Sequence, residues 1–244
     1  MTLSANEQML SKVANGLPPE LRNQVVFLGG SVVSLLITET AFAGIRPTKD
    51  VDVIIETSNQ SDFHHFEESL RKAGCHQILD DDPPIICRWR INSVVVDVMP
   101  CDETILGFSN QWYKAAVKNY HLINLEGIEI KVVTAPYFLA TKVEAFHGRG
   151  NNDYMGSHDL EDIITVLDGR SEVVAEIKAA ETSLQNYLAR NFKAWLQSRD
   201  FINTLPGLLA PDPASQARLQ LITSRLTEIS QMLGFREQWN RKLG

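Results

Sequence analysis

Three aspartates sit inside runs that otherwise read as apolar strands. In Lys49-Asp50-Val51-Asp52-Val53-Ile54-Ile55 the β-branched residues mark a strand. A side-chain period of two sends Asp50 and Asp52 to one face and Val51 and Val53 to the other. Asp97 is embedded in Val94-Val95-Val96-Asp97-Val98-Met99 in the same manner. An ionised carboxylate in such a run is costly unless it is paired or bound to a cation. Two carboxylates side by side also repel one another unless positive charge lies between them.

An adjacent strand could bring Asp97 beside the first two, and three carboxylates are hard oxygen ligands suited to Mg²⁺ or Mn²⁺. Around two ions about 3.5–4 Å apart they form the arrangement used for in-line displacement at phosphorus. The plainer alternative is a pair of exposed acids at a strand end, with Asp97 in a bulge or a salt bridge. Gly29-Gly30-Ser31 weighs against it, because this turn follows the strand Val25–Leu28 and precedes a helix. Glycine there lets the backbone approach a ligand, and a helix N-terminus offers N–H groups to a phosphate. Ser31 either caps that helix or donates to a phosphate oxygen.

The texture of the chain changes near position 134. Before it, strands at Val25–Leu28, Val51–Ile55, Ile85–Ile91 and Val94–Met99 alternate with helical stretches at Ser31–Phe42 and Ser61–Ala73. Asp82-Pro83-Pro84 is a turn feeding a hairpin of the last two strands through Asn92 and Ser93. After 134 the pattern is helical. Phe138, Leu139, Val143 and Phe146 form one stripe, and Leu160, Ile163, Ile164 and Leu167 form another. Two longer helices follow, through Leu184–Trp195 and Leu219–Leu233, separated by prolines and glycine between Leu205 and Pro213. The expectation is an α/β (α+β) fold: a mixed-sheet core over 1–133 and a helical domain over 134–244.

The stretch Met1–Ala14 holds Lys12 as its only basic residue and lacks an apolar signal core, and no apolar run approaches a membrane span, so a cytoplasmic protein is expected. Cys75, Cys87 and Cys101 are odd in number and lack metal-ligand spacing, which fits half-buried thiols. A net charge of −7 excludes a general nucleic-acid coat. Residues 178–242 nonetheless carry a net +4, against −6 over 1–133. Asp80-Asp81-Asp82, the surface pair His64-His65, and Trp89, Trp112, Trp195 and Trp239 read as a solvated turn, a helix surface and packing residues.

The ordered set Gly29-Gly30-Ser31, Asp50-Val51-Asp52 and Asp97 resembles the nucleotidyltransferase fold of the DNA polymerase β superfamily. Arg46-Pro47-Thr48-Lys49-Asp50-Val51-Asp52, with Phe138–Phe146 and Ser157–Ile164, is similar to the AbiEii-type nucleotidyltransferase toxins. The resemblance spans roughly residues 25–170. It implies a metal-dependent enzyme that moves a nucleoside monophosphate from an NTP such as ATP to a hydroxyl acceptor. Asp50, Asp52 and Asp97 would hold two Mg²⁺ or Mn²⁺ ions, and Gly29, Gly30 and Ser31 the phosphates. Lys142, which falls within an apolar helix stripe, would contact the triphosphate, and Asp159 would orient it. His158 stands where the family commonly has lysine. The toxin branch implies an antitoxin partner, and the basic C-terminal segment suits an RNA acceptor such as a tRNA end. An aminoglycoside-type or protein acceptor, and a catalytically silent nucleotide-binding module, are the alternatives.

Overall fold

The aspartate-bearing strands lie side by side near the middle of a seven-stranded mixed sheet in the computed structural model. It describes residues 3–39, 44–57, 59–80, 85–107, 109–150 and 153–232. The strands are β1 (Val25–Leu28), β2 (Asp50–Ile55), β3 (His76–Gln77), β4 (Arg88–Ile91), β5 (Val94–Pro100), β6 (Tyr120–Leu125) and β7 (Ile128–Val133), in the order β3-β4-β5-β2-β1-β7-β6. β2 runs parallel to β5 and β1 parallel to β7, and the other neighbours are antiparallel. All four residues of β1 are buried, as a central strand covered on both faces requires.

Contacts divide the chain into two units: Met1–Leu36 with Ile45–Phe138, and Ile37–Gly44 with Leu139–Gly244. In the first, the sequence-expected hairpin of β4 and β5 forms through Asn92 (φ 44°) and Ser93 (φ 69°). Both residues are left-handed, as the tight turn compatible with strand twist demands. β4 begins only at Arg88, not Ile85, and the Asp82-Pro83-Pro84 turn lies outside the described residues. The helix expected from Ser61 spans Gln60–Lys72, with the Asn59 side chain accepting from the Asp62 N–H.

Several elements of this unit were not anticipated. The helix Ala5–Gly16 starts at a capping box of Ser4 and Glu7 and buries Leu10, Val13 and Ala14. β6 and β7 form a second hairpin, turning at Glu126 (φ 53°) and Gly127 (φ 88°). One expected element is shorter. In place of a helix over Ser31–Phe42 there is a 3₁₀ turn, Gly30–Val32, and one helical turn, Val33–Leu36. It stops because the N–H groups of Thr38 and Glu39 both donate to the Gly169 carbonyl instead of continuing the ladder; Phe42 lies outside the described residues.

The second unit is helical. Phe138, Leu139, Val143 and Phe146 of the helix Ala135–Arg149 are at most 1% exposed; the unit boundary falls between the first two. The helix His158–Gly169 buries Leu160, Ile163, Ile164 and Leu167. Leu184, Leu188, Phe192 and Trp195 are buried along Thr182–Gln197, and Ile222, Leu226 and Ile229 along Leu219–Ser230. Phe146 meets Trp195 edge-on at 5.6 Å, and Trp195 stacks on Phe201 at 5.5 Å. Leu233 and Trp239 fall outside the described residues. Among the described residues no helix is long and apolar enough to cross a membrane.

The thiols of Cys75, Cys87 and Cys101 are free and buried, not half-buried. Burial pushes Cys87 and Cys101 up to about 12, which keeps them protonated and unreactive at neutral pH.

Ser93 pays for its left-handed backbone with side-chain crowding. Ser93→Gly is expected to stabilise the protein by about 1 kcal/mol, read as a higher midpoint in urea denaturation with an unchanged slope.

Candidate functional site

The register of β2 with β5 places Asp52 beside Asp97, with Asp50 two residues along on the same face. On the far side of β5, β4 sets Arg88 opposite Asp97. Its guanidinium donates two bonds to that carboxylate, 2.9 Å to Oδ1 and 3.0 Å to Oδ2. The same group comes within 4.0 Å of Asp50 Oδ2. Arg88 escapes a reading that looks only for acids, yet the two-residue turn locates it. With Ile91 opposite Val94, counting back along both strands puts Arg88 opposite Asp97.

The donor set is all hard oxygen, which suits Mg²⁺ or Mn²⁺. Among the described residues no three of His, Cys, Asp and Glu form a ready-made metal cage, and both oxygens of Asp97 are turned to Arg88. A guanidinium drawn among these carboxylates reflects the positive charge that this face requires. The three acids thus agree with a divalent cation in donor type and in the strand face they share, while among the described residues their carboxylates do not converge into a three-ligand cage.

Gly29 closes one side of the face. β1 pairs Leu28 with Asp52, and the next residue turns with φ 74° and ψ −168°, a conformation open essentially to glycine alone. A Cβ on Gly29 would lie 1.8 Å from Asp52 Oδ2. Gly30 opens the 3₁₀ turn. Ser31 is fully buried, and its hydroxyl donates to the Leu28 carbonyl at 3.4 Å. It does not cap the helix; Gly29 holds the cap position without a side-chain bond.

The approach to β2 is held by a residue that the sequence did not single out. Asn6, 3% exposed, donates to the Arg46 carbonyl at 3.1 Å and accepts from the Thr48 N–H at 3.1 Å. Thr48 in turn donates its hydroxyl to Asp50 Oδ1 at 3.0 Å.

Lys142 and Asp159 belong to the second unit, where they form a buried ionic cluster. Lys142 Nζ lies 3.0 Å from Asp159 and 2.7 Å from Asp162. The two acids are three residues apart on one helix and so share a face. Arg149 donates two bonds to Asp159, at 2.8 and 2.9 Å. Burial would raise Asp159, but hydrogen bonds and charge from Arg149 and Lys142 outweigh it and hold the carboxyl below its ordinary value. Asp162 and Arg149 were not singled out in the sequence. The signal was the lysine itself, since a cation on an apolar stripe requires acids. His158 is exposed at the first turn behind the Ser157 cap, 3.3 Å from Glu161.

Residues 17–243 match a family model described as nucleotidyl transferase AbiEii toxin, type IV toxin–antitoxin system. A comparison with curated proteins found no match. Among solved structures, an antigenic nucleotidyltransferase-like protein from Paracoccidioides brasiliensis is similar with 18% identity and a TM-score of 0.50, over 90% of this chain and 94% of that one. At this identity the likeness concerns the fold. JHP933 from Helicobacter pylori aligns over 99% of both chains, with 11% identity and a TM-score of 0.47.

Gly29→Ala is expected to lower stability by about 2 kcal/mol or more, because it combines backbone strain with a collision at Asp52; chemical denaturation measures it. Asp159, with its carboxyl depressed in the fold, contributes stability above the ordinary aspartate range and loses it as pH falls through the folded value. Arg149→Ala should therefore cost about 1 kcal/mol at neutral pH. In thermal denaturation the difference from the parent should shrink towards zero in acid, once Asp159 is protonated in both proteins.

Proposed function

We propose, from the premise that this chain belongs to the AbiEii nucleotidyl transferase toxin family, that it transfers a nucleoside monophosphate from an NTP to a hydroxyl acceptor. The observation that carries this reading is the carboxylate face of β2 and β5 directly under the Gly29 turn. In the proposed reaction the acceptor oxygen attacks the α-phosphorus, the bond to the β-phosphate oxygen breaks, and pyrophosphate leaves. Asp97 takes the hydroxyl proton.

Mg²⁺ or Mn²⁺ held by Asp50, Asp52 and Asp97 would neutralise the triphosphate and activate the hydroxyl. Arg88 orients Asp97 through two parallel bonds, which leave each carboxylate oxygen a further lone pair. Gly29 lets the backbone run close above Asp52, Gly30 offers main-chain N–H to phosphate, and buried Ser31 fixes the turn from below. Lys142 is the proposed contact to the triphosphate, with its ammonium positioned by Asp159 and Asp162.

For the acceptor we favour an RNA, such as a tRNA end, because residues 178–242 carry a net +4 within a chain of net −7. The family description supports toxicity on expression, relieved by an antitoxin.

Asp52→Asn is expected to abolish transfer of label from an α-labelled NTP while circular dichroism stays unchanged; retained transfer would remove Asp52 from the reaction. Offering the parent enzyme tRNA, total protein and aminoglycosides separately decides the acceptor. Label on tRNA supports the RNA reading, and label confined to the drug or to protein overturns it.

A further inference from the structure

We propose that the free edge of β6 pairs antiparallel with the same edge of a second copy of this chain. β6 is the outermost strand on its side of the sheet. Because the Thr134 N–H donates to the Asn119 carbonyl at 3.0 Å, the hydrogen-bonded pairs of this hairpin are His121 with Val132, Ile123 with Ile130 and Leu125 with Ile128. Tyr120, Leu122 and Asn124 therefore direct their N–H and C=O groups away from the sheet. Among the described residues no backbone hydrogen bond reaches these outward groups. Their side chains are exposed as well, Leu122 by 57%.

Sheets usually blunt an edge by keeping it short or by charging it. The opposite edge follows this rule, since β3 has two residues. β6 has six, and from Asn119 to Leu125 it carries no Lys, Arg, Asp or Glu.

The strand is complementary to itself. About a two-fold axis through Leu122, the outward groups of one copy meet the outward groups of the other: Leu122 faces the partner's Leu122, and Tyr120 faces the partner's Asn124. Each of these pairs exchanges two backbone hydrogen bonds. In the same register exposed Lys118, just ahead of the strand, arrives at the far end of the ladder, where the partner's Glu126 stands, and symmetry makes this charge pair twice. Each residue keeps its own-chain contact, Lys118 with Glu56 at 2.9 Å and Glu126 with the Ser11 hydroxyl at 2.7 Å. A slip of one residue sets outward groups against inward ones, and a slip of two separates the charges.

Sedimentation velocity of the full chain over a range of concentrations tests the proposal, with a reversible dimer expected. Leu122→Pro deletes the outward N–H at the axis but no bond of the β6–β7 ladder, and Leu122→Lys sets like charges face to face. Each should weaken dimerisation at least about tenfold with the far-ultraviolet spectrum unchanged. Should the proline variant misfold, the lysine variant decides. Lys118→Glu should weaken the dimer too, and adding Glu126→Lys should restore it. A parent protein that stays monomeric at every concentration overturns the proposal, as does a dimer that persists in Leu122→Lys or a charge exchange that fails to restore it.

Discussion

Negative charge gathered on one face of two adjacent strands is the constraint that the first unit is built around. Asp52 and Asp97 are neighbours by register, and Asp50 follows on the same face. An apolar strand tolerates this only where positive charge is supplied. Arg88 supplies it from β4, so the hairpin that carries Arg88 is part of the electrostatics and not merely an extension of the sheet. The other side of the face is set by absence of bulk. Gly29 passes so close to Asp52 that no side chain fits, which ties the geometry of the turn to the position of the acid.

Period-two alternation makes β2 and β5 legible in the sequence, and the Asn92-Ser93 turn makes their hairpin neighbour β4 legible too. What alternation cannot convey is which strand lies beside which. The pairing of β2 with β5 follows from the sheet order, and with it the side-by-side placement of Asp52 and Asp97. β6 is hard to read because five of its six residues are exposed or only half-buried, so no apolar face announces it. β7 does alternate, with Ile130 and Val132 buried, and Glu126-Gly127 is a readable turn once a strand is suspected on each side. The short helix after Gly30 fails differently. Local periodicity there extends past Leu36, but Thr38 and Glu39 bond to a residue far along the chain, and tertiary bonding overrides local preference.

In the second unit the anomaly was visible and its resolution was not. Lys142 sits on an apolar stripe, so the sequence demands a partner. It cannot say that two acids answer, or that Arg149 adds a second cation to the same carboxylate. Lys142, Asp159 and Asp162 are buried while Arg149 is exposed; a buried ionic cluster is weak evidence for net stability, but loss of Lys142 would remove the cation that both acids share. Helical stripes, by contrast, carried over almost residue for residue, because burial of one face decides where such helices stand.

The segment Ile37–Gly44 joins the helical unit although it precedes nearly all of it in the chain. Glu39 is bonded by Arg218 at 2.7 Å and Arg225 at 3.0 Å, the latter 186 positions later. During synthesis on the ribosome Glu39 emerges long before its partners, which follow 179 and 186 positions later. The second unit thus closes a loop of 186 positions, and long-range closure of this kind slows folding. A ribosome that stalls before Arg218 would release a chain whose first unit has all its strands but whose second lacks the clamp on its earliest segment.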